Sequence, residues 1–225
     1  MEKVTLEQNI PDRNQVKILR ETLFEWFKYN QRLYPWRETT DPLKVLIAEI
    51  MLRRTKADQV RTVYGRLFAE YPEINTIVDN DDENLKNIFS SLGLKWRIPA
   101  LLQVIKVISE KYKGKVPETR EELKKLPGVG DYVAGAVLSI AYGKREWIVD
   151  NNIVRLFRRY FEIQTSKEGR RDRNVIKIAK AYVSCKDPRR ANLAILDFSA
   201  LICKPGKPLC NICPLKDKCR FYKDL

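Results

Sequence analysis

Four cysteines stand close together in this 225-residue chain, Cys203, Cys210, Cys213 and Cys219, with the spacing C-x6-C-x2-C-x5-C. Thiolates gathered by short loops are soft ligands, which select zinc or iron–sulfur clusters. Zinc ribbons usually bring two C-x2-C knuckles and this segment has one, so a 4Fe–4S cluster is favoured and zinc is the rival occupant. Two disulfides would suit a small secreted chain. The first 20 residues lack the apolar segment of a secretory leader, so a cytoplasmic location is expected and disulfides are not. The segment is basic and proline-punctuated (Lys204, Pro205, Lys207, Pro208, Lys216, Lys218, Arg220), which suits a loop facing a polyanion. The fifth cysteine, Cys185, reads as a small buried hydrophobe.

Histidine is absent, so acid–base chemistry must fall to Asp, Glu, Tyr, Lys or a metal centre. Two carboxylates stand out. Glu49 sits in the apolar run Val45-Leu46-Ile47-Ala48-Glu49-Ile50-Met51, where a charge is costly unless paired or functional. Asp150 ends the apolar approach Trp147-Ile148-Val149 and begins a helix, where by itself it reads as an N-cap. Against 29 acidic residues stand 43 Lys and Arg, a formal charge of +14. A cluster of net charge about −2 would trim this only slightly. Such a balance points to nucleic acid or an anionic surface, although a merely soluble basic protein has it too. No run of 18 apolar residues exists to span a membrane.

The segment Leu126-Pro127-Gly128-Val129-Gly130 joins two helices through a very short turn. Its glycines permit positive φ and close backbone approach. Amides at the start of the next helix can then meet an anion, and Val129 can plug the gap between the helices. This describes a helix–hairpin–helix that grips a DNA backbone without sequence preference. An ordinary αα-hairpin with a glycine turn has the same short signature.

The elements that must position these residues are helical nearly throughout, and no convincing alternating strand appears; the expected class is all-α. Apolar periodicity marks helices over Val16–Tyr29 and from Pro42 through Met51, the latter capped by Asp41. A third runs through Val60, Val63, Leu67 and Phe68 to near Pro72. A fourth begins at Asp81 or Asp82 and stops at Gly93, and a fifth covers Trp96–Tyr112. Thr119 and Glu122 form a capping box before Leu123, and one helix is predicted over Asp131–Tyr142. Three more follow: Asn152–Tyr160, Arg173–Cys185 and Arg190–Ile202. Ser166–Arg173 reads as an exposed loop or frayed helix start.

In combination, Tyr34-Pro35-Trp36-Arg37, the LPGVG turn, an aspartate 20 residues past Gly130, and the cysteine spacing resemble the helix–hairpin–helix DNA glycosylase superfamily, in its iron–sulfur branch. The resemblance covers nearly the whole chain and implies base-excision repair on double-stranded DNA. It implies that Asp150 is the catalytic carboxylate, held beneath a deoxyribose that gains positive charge as its base leaves. Bifunctional members carry a lysine where this chain has Tyr132, so a monofunctional enzyme without efficient lyase activity is expected. Glu49 matches the glutamate that protonates the leaving purine in adenine-removing relatives, and in the thymine/uracil branch it could hydrogen-bond the flipped pyrimidine.

Met51-Leu52-Arg53-Arg54-Thr55 looks like the thymine–guanine mismatch glycosylases, whereas adenine glycosylases read M-L-Q-Q-T. One arginine is expected to fill the hole left by the flipped nucleotide and the other to meet guanine or a phosphate; both could instead contact phosphates. Six residues follow Cys219, without the extra C-terminal domain usual in adenine glycosylases, which also favours thymine or uracil opposite guanine. The alternative is adenine opposite guanine or 8-oxoguanine, and a remoter one is a non-catalytic DNA-binding module. Arg37 is a candidate for the DNA face, with Gly128, Val129 and Gly130 as the backbone grip. The expected lobes are residues 32–148, with the hairpin at about 119–142, and residues 1–31 plus 149–225, with the cluster loop at 203–219. The expected state is a monomer, with a pocket between the lobes. Asp197, within an apolar helix, suggests a buried structural hydrogen bond.

Overall fold

The computed structural model describes residues 10–73, 83–92 and 98–223, and within them only helices and turns occur, with no strand. The chain divides into two units, Met1–Arg32 with Arg145–Leu225, and Leu33–Lys144.

In the first unit, α1 (Arg13–Asn30) starts three residues earlier than its apolar pattern. The reason is a capping box: Asp12 accepts the Gln15 amide, and the Gln15 side chain accepts the Asp12 amide. Its stripe Val16, Leu19, Leu23 and Phe27 is buried, and α1 packs on the helices Arg173–Val183 and Pro188–Leu201. Burying each such side chain contributes roughly 2 kcal/mol. Arg20 donates to the carbonyls of Ala181 and Tyr182, the otherwise orphaned end of Arg173–Val183. Pro188–Leu201 begins two residues before its expected start because Asp187 caps it and Pro188 fills its first position. Arg173–Val183 ends two residues early, and Cys185 beyond it is half-buried rather than buried.

Asp197 is fully buried and takes two bonds from Arg32, Nε to Oδ1 at 2.7 Å and the backbone amide to Oδ2 at 2.9 Å. Removing one partner leaves a buried charge uncompensated. Asp197→Ala is therefore expected to lower unfolding free energy by about 3 kcal/mol in chemical denaturation; a change below about 0.5 kcal/mol would show the pair to be incidental.

In the second unit, α2 (Pro42–Met51) is capped by Asp41, whose Oδ1 accepts the amides of Leu43 and Lys44. Every residue from Leu43 to Met51 is buried except Lys44, which lies over the Phe68 ring. α3 (Ala57–Glu70), α4 (Glu83–Ser90) and α5 (Ile98–Tyr112) follow. The expected boundaries at Asp81, Asp82, Gly93 and Trp96 lie outside the described residues. Trp36 is buried, stacked on Tyr34 (4.7 Å, 5°) and edge-on to Tyr64.

Two expectations around the hairpin need correction. Only half of the capping box forms: Thr119 accepts the Glu122 amide, while the Glu122 carboxylate is taken by Tyr112 and Lys125. The helix predicted over Asp131–Tyr142 is α-helical for Asp131–Ala136 and then a π-helix for Val137–Ala141. The wider turn accommodates a run buried on every side, Val133 to Ile140, where α2 packs against it.

In the region Ser166–Arg173, Gly169–Arg171 forms a 3-10 turn rather than a fraying end. Asp172 ties it by accepting the Ser166 amide while capping the next helix. A side chain on Gly169 would bring Cβ within 2.7 Å of Val154.

Candidate functional site

The second unit carries the hairpin. α6 (Arg120–Leu123) leads into the turn, and α7 (Asp131–Ala136) leaves it with Gly130 at its N-cap. Gly128 adopts φ +72, which an L side chain rarely takes, and Val129 is buried. The two helices are braced at Asp131: Lys124 reaches its carboxylate at 2.8 Å, and Arg120 donates to its carbonyl at 2.7 Å.

Arg53 and Arg54, adjacent in sequence, take different roles in the structure. Arg53 Nη1 donates to the Gly128 carbonyl at 2.9 Å, so it ties the end of α2 to the hairpin turn. Arg54 is exposed and holds φ +58, a left-handed conformation costing a non-glycine residue about 1 kcal/mol. Glu49 lies on α2 and is buried, and Tyr132 is the second residue of α7 and half-buried. Their helices pack on each other. Arg37 lies over the Tyr34 ring, extending the stack on Trp36.

Asp150 belongs to the first unit, at the N-cap of α8 (Asn151–Phe161). Ile148 and Val149 before it are buried, while its own side chain stays partly accessible. Oδ1 accepts the Ile153 amide and Oδ2 accepts Asn152 Nδ2, both at 2.8 Å. The carboxylate is thus a cap and also a group held in one orientation, with lone pairs to spare on both oxygens.

The same unit gathers Cys203, Cys210, Cys213 and Cys219 around one apolar cavity, walled by Leu156, Phe198, Ile202 and Leu215 among others. All are free thiols. Among the described residues no three metal-binding side chains group closely enough to hold a single ion. Thiols spread around a cavity suit a multi-iron cluster better than one zinc ion. Burial pushes the Cys213 thiol up to about 11, with the Leu215 amide opposing and the other three thiols adding. Burial likewise raises Cys219, against amides of Tyr222 and Phe221 that donate to its sulfur. Amides aimed at sulfur in a cavity where bare thiolates are costly fit ligands neutralised by a bound cationic core.

A helix-hairpin-helix motif model matches residues 111–140. Thymine-DNA glycosylase of Aeropyrum pernix is 35% identical over 219 residues, covering 95% of this chain and 98% of that one. The chain belongs to the helix–hairpin–helix DNA glycosylase superfamily. Thymine/uracil-DNA glycosylase of Methanothermobacter thermautotrophicus is 34% identical, with coverages of 92% and 94%. An adenine DNA glycosylase of Buchnera aphidicola is 31% identical, with 91% of this chain spanning 58% of that one. The solved structure of a thermostable thymine-DNA glycosylase superposes with TM-score 0.85 at 33% identity, covering 94% of this chain and 98% of that one.

Sequence reasoning overlooked Asn152 and Arg155 in this superfamily member. The available signal was D-x-N-x-x-R, because residues three apart share a helix face.

Proposed function

We propose that this chain is a monofunctional DNA glycosylase that hydrolyses the N-glycosidic bond of thymine or uracil opposite guanine. The observation that carries this reading is the Asp150 carboxylate, oriented by Ile153 and Asn152 at a helix start. It is supported by likeness to thymine- and thymine/uracil-DNA glycosylases along nearly the whole chain.

A stacked base is out of reach, so the nucleotide is first extruded from the duplex, which a mismatch makes easier by a few kcal/mol. The hairpin Gly128–Gly130 holds a phosphate through main-chain amides. Asp150 stabilises the cationic sugar and orients the attacking water. Tyr132 packs against the sugar or base, and Glu49 hydrogen-bonds the flipped pyrimidine. Cys203, Cys210, Cys213 and Cys219 hold a 4Fe–4S cluster, which when bound cross-links the loop that presents its lysines to DNA. The protein acts as a monomer on double-stranded DNA.

The two arginines divide the remaining work. Arg54, exposed and strained, fills the hole left by the extruded nucleotide, and Arg53 braces the hairpin. Arg54→Ala is expected to slow single-turnover excision from a mismatch about tenfold, a loss of about 1.4 kcal/mol, and much less when the target lies in an unpaired bubble. Arg53→Ala instead weakens binding to matched and mismatched duplexes alike. An Arg54 effect equal on both substrates would overturn this division.

The test of function is a panel of duplexes carrying T or U opposite G, and A opposite G or 8-oxoguanine, cleaved with alkali after incubation. Thymine and uracil are expected to leave; release of adenine alone overturns the specificity. The purified protein is expected to be brown with about four iron atoms per chain, and a colourless zinc protein would overturn the cofactor.

A further inference from the structure

One unbroken line of hydrogen bonds runs from Asp150 to the cysteine loop. Asp150 Oδ2 accepts Asn152 Nδ2 at 2.8 Å. Asn152 Oδ1 accepts Arg155 Nη1 at 2.9 Å. Arg155 Nε donates to the Cys203 carbonyl and Nη2 to the Ser199 carbonyl, both at 2.8 Å. One turn further along α8, Arg159 Nη1 donates to the Lys204 carbonyl at 2.7 Å and lies 3.6 Å from Cys203 Sγ. α8 therefore clasps the end of Pro188–Leu201 and the first cysteine with two arginines, and the nearer one also holds Asn152.

We propose that Asn152 and Arg155 are positioning residues that couple the orientation of the Asp150 carboxylate to the seating of the Cys203 loop. The proposal rests on the reading of Asp150 as the group beneath the sugar.

The chemistry of each link is directional. A carboxylate accepts and a guanidinium donates, so the residue between them needs a donor on one end and an acceptor on the other. Asparagine provides both, and the opposite amide orientation would set oxygen against oxygen and nitrogen against nitrogen. Arg155 uses three nitrogens of a rigid fork toward three acceptors; lysine keeps the charge but not that geometry. Asp150 Oδ1 is held by its own helix, whereas Oδ2 depends on Asn152, and Asn152 on Arg155. A loop displaced at Cys203 withdraws Arg155, frees Asn152 and lets the carboxylate turn about its remaining bond. Misplacement of a reacting group by about 1 Å can cost on the order of 100-fold in rate.

The test uses full-length protein as purified with its iron, and reads single-turnover excision, duplex affinity, thermal stability and iron release to a chelator. Asn152→Ala is expected to lose roughly 10- to 100-fold in excision rate, with affinity, melting temperature and iron retention as in the parent. Arg155→Lys is expected to lose a similar factor and to release iron faster. Because both act through one line, the double variant should fall no further than the worse single. Asn152→Asp sets a second carboxylate beside the first, and like charge raises the pH at which the ionised form is lost. Its excision should therefore fail on acidification at a higher pH than the parent's, a shift that a purely structural role would not produce.

Parental activity in Asn152→Ala, or losses that multiply in the double variant, would overturn the coupling alone while the parent still excises. A parent that releases no base from any duplex overturns the coupling and the proposed function together.

Discussion

Asp150→Asn is expected to reduce base release on the order of 1,000-fold or more, while duplex affinity and melting temperature stay close to the parent's. The substitution is nearly isosteric, and asparagine caps helices about as well as aspartate. The Ile153 amide therefore keeps its acceptor, and α8 keeps its start. What disappears is the negative charge, whose task is to meet positive charge developing on the deoxyribose. The bond from Asn152 becomes a neutral amide pair and weakens, so the stability change should stay within about 1 kcal/mol. Single-turnover release measured beside a binding titration separates the two effects. Turnover near the parental rate would leave Asp150 as a helix cap and nothing more.

Tyr132→Lys should create a product absent from the parent: a covalent protein–DNA adduct trapped by borohydride. The lysine amine would attack the sugar carbon as the base departs, giving a ring-opened imine that hydride reduces to a stable secondary amine. The site favours this chemistry, because Tyr132 is half-buried at the start of α7 and partial desolvation shifts lysine toward its neutral, nucleophilic form. Denaturing electrophoresis of the trapped mixture reads the outcome directly. A variant that still excises but never traps would place position 132 away from the sugar.

Much of the site was legible because its signals are local. Asp41 before Pro42 announced α2, since a cap side chain and a missing amide act within one turn. Thr119 shows the boundary of that logic: it caps as expected, but Glu122 answers to Tyr112 and Lys125 instead of the cap. The π-helix at Val137–Ala141 escaped notice because its composition suits an α-helix equally well, and packing on all sides distinguishes the two. Asp12 and Gln15 extended α1 beyond its apolar stripe because a capping box depends on short-range polar bonds that hydrophobic periodicity does not register.

By itself the amino-acid sequence determined the helical class, the LPGVG turn, the thiol quartet and the carboxylate at the head of α8. Each depends on residue types within a few positions of one another, where backbone geometry leaves little choice. Only the tertiary structure decided that Arg53 serves the hairpin while Arg54 stays exposed, that Asp197 answers Arg32, and that Asn152 and Arg155 join Asp150 to Cys203. Long polar side chains can reach many partners, and which one they meet is set by packing between segments far apart in the chain, over which no local rule has purchase.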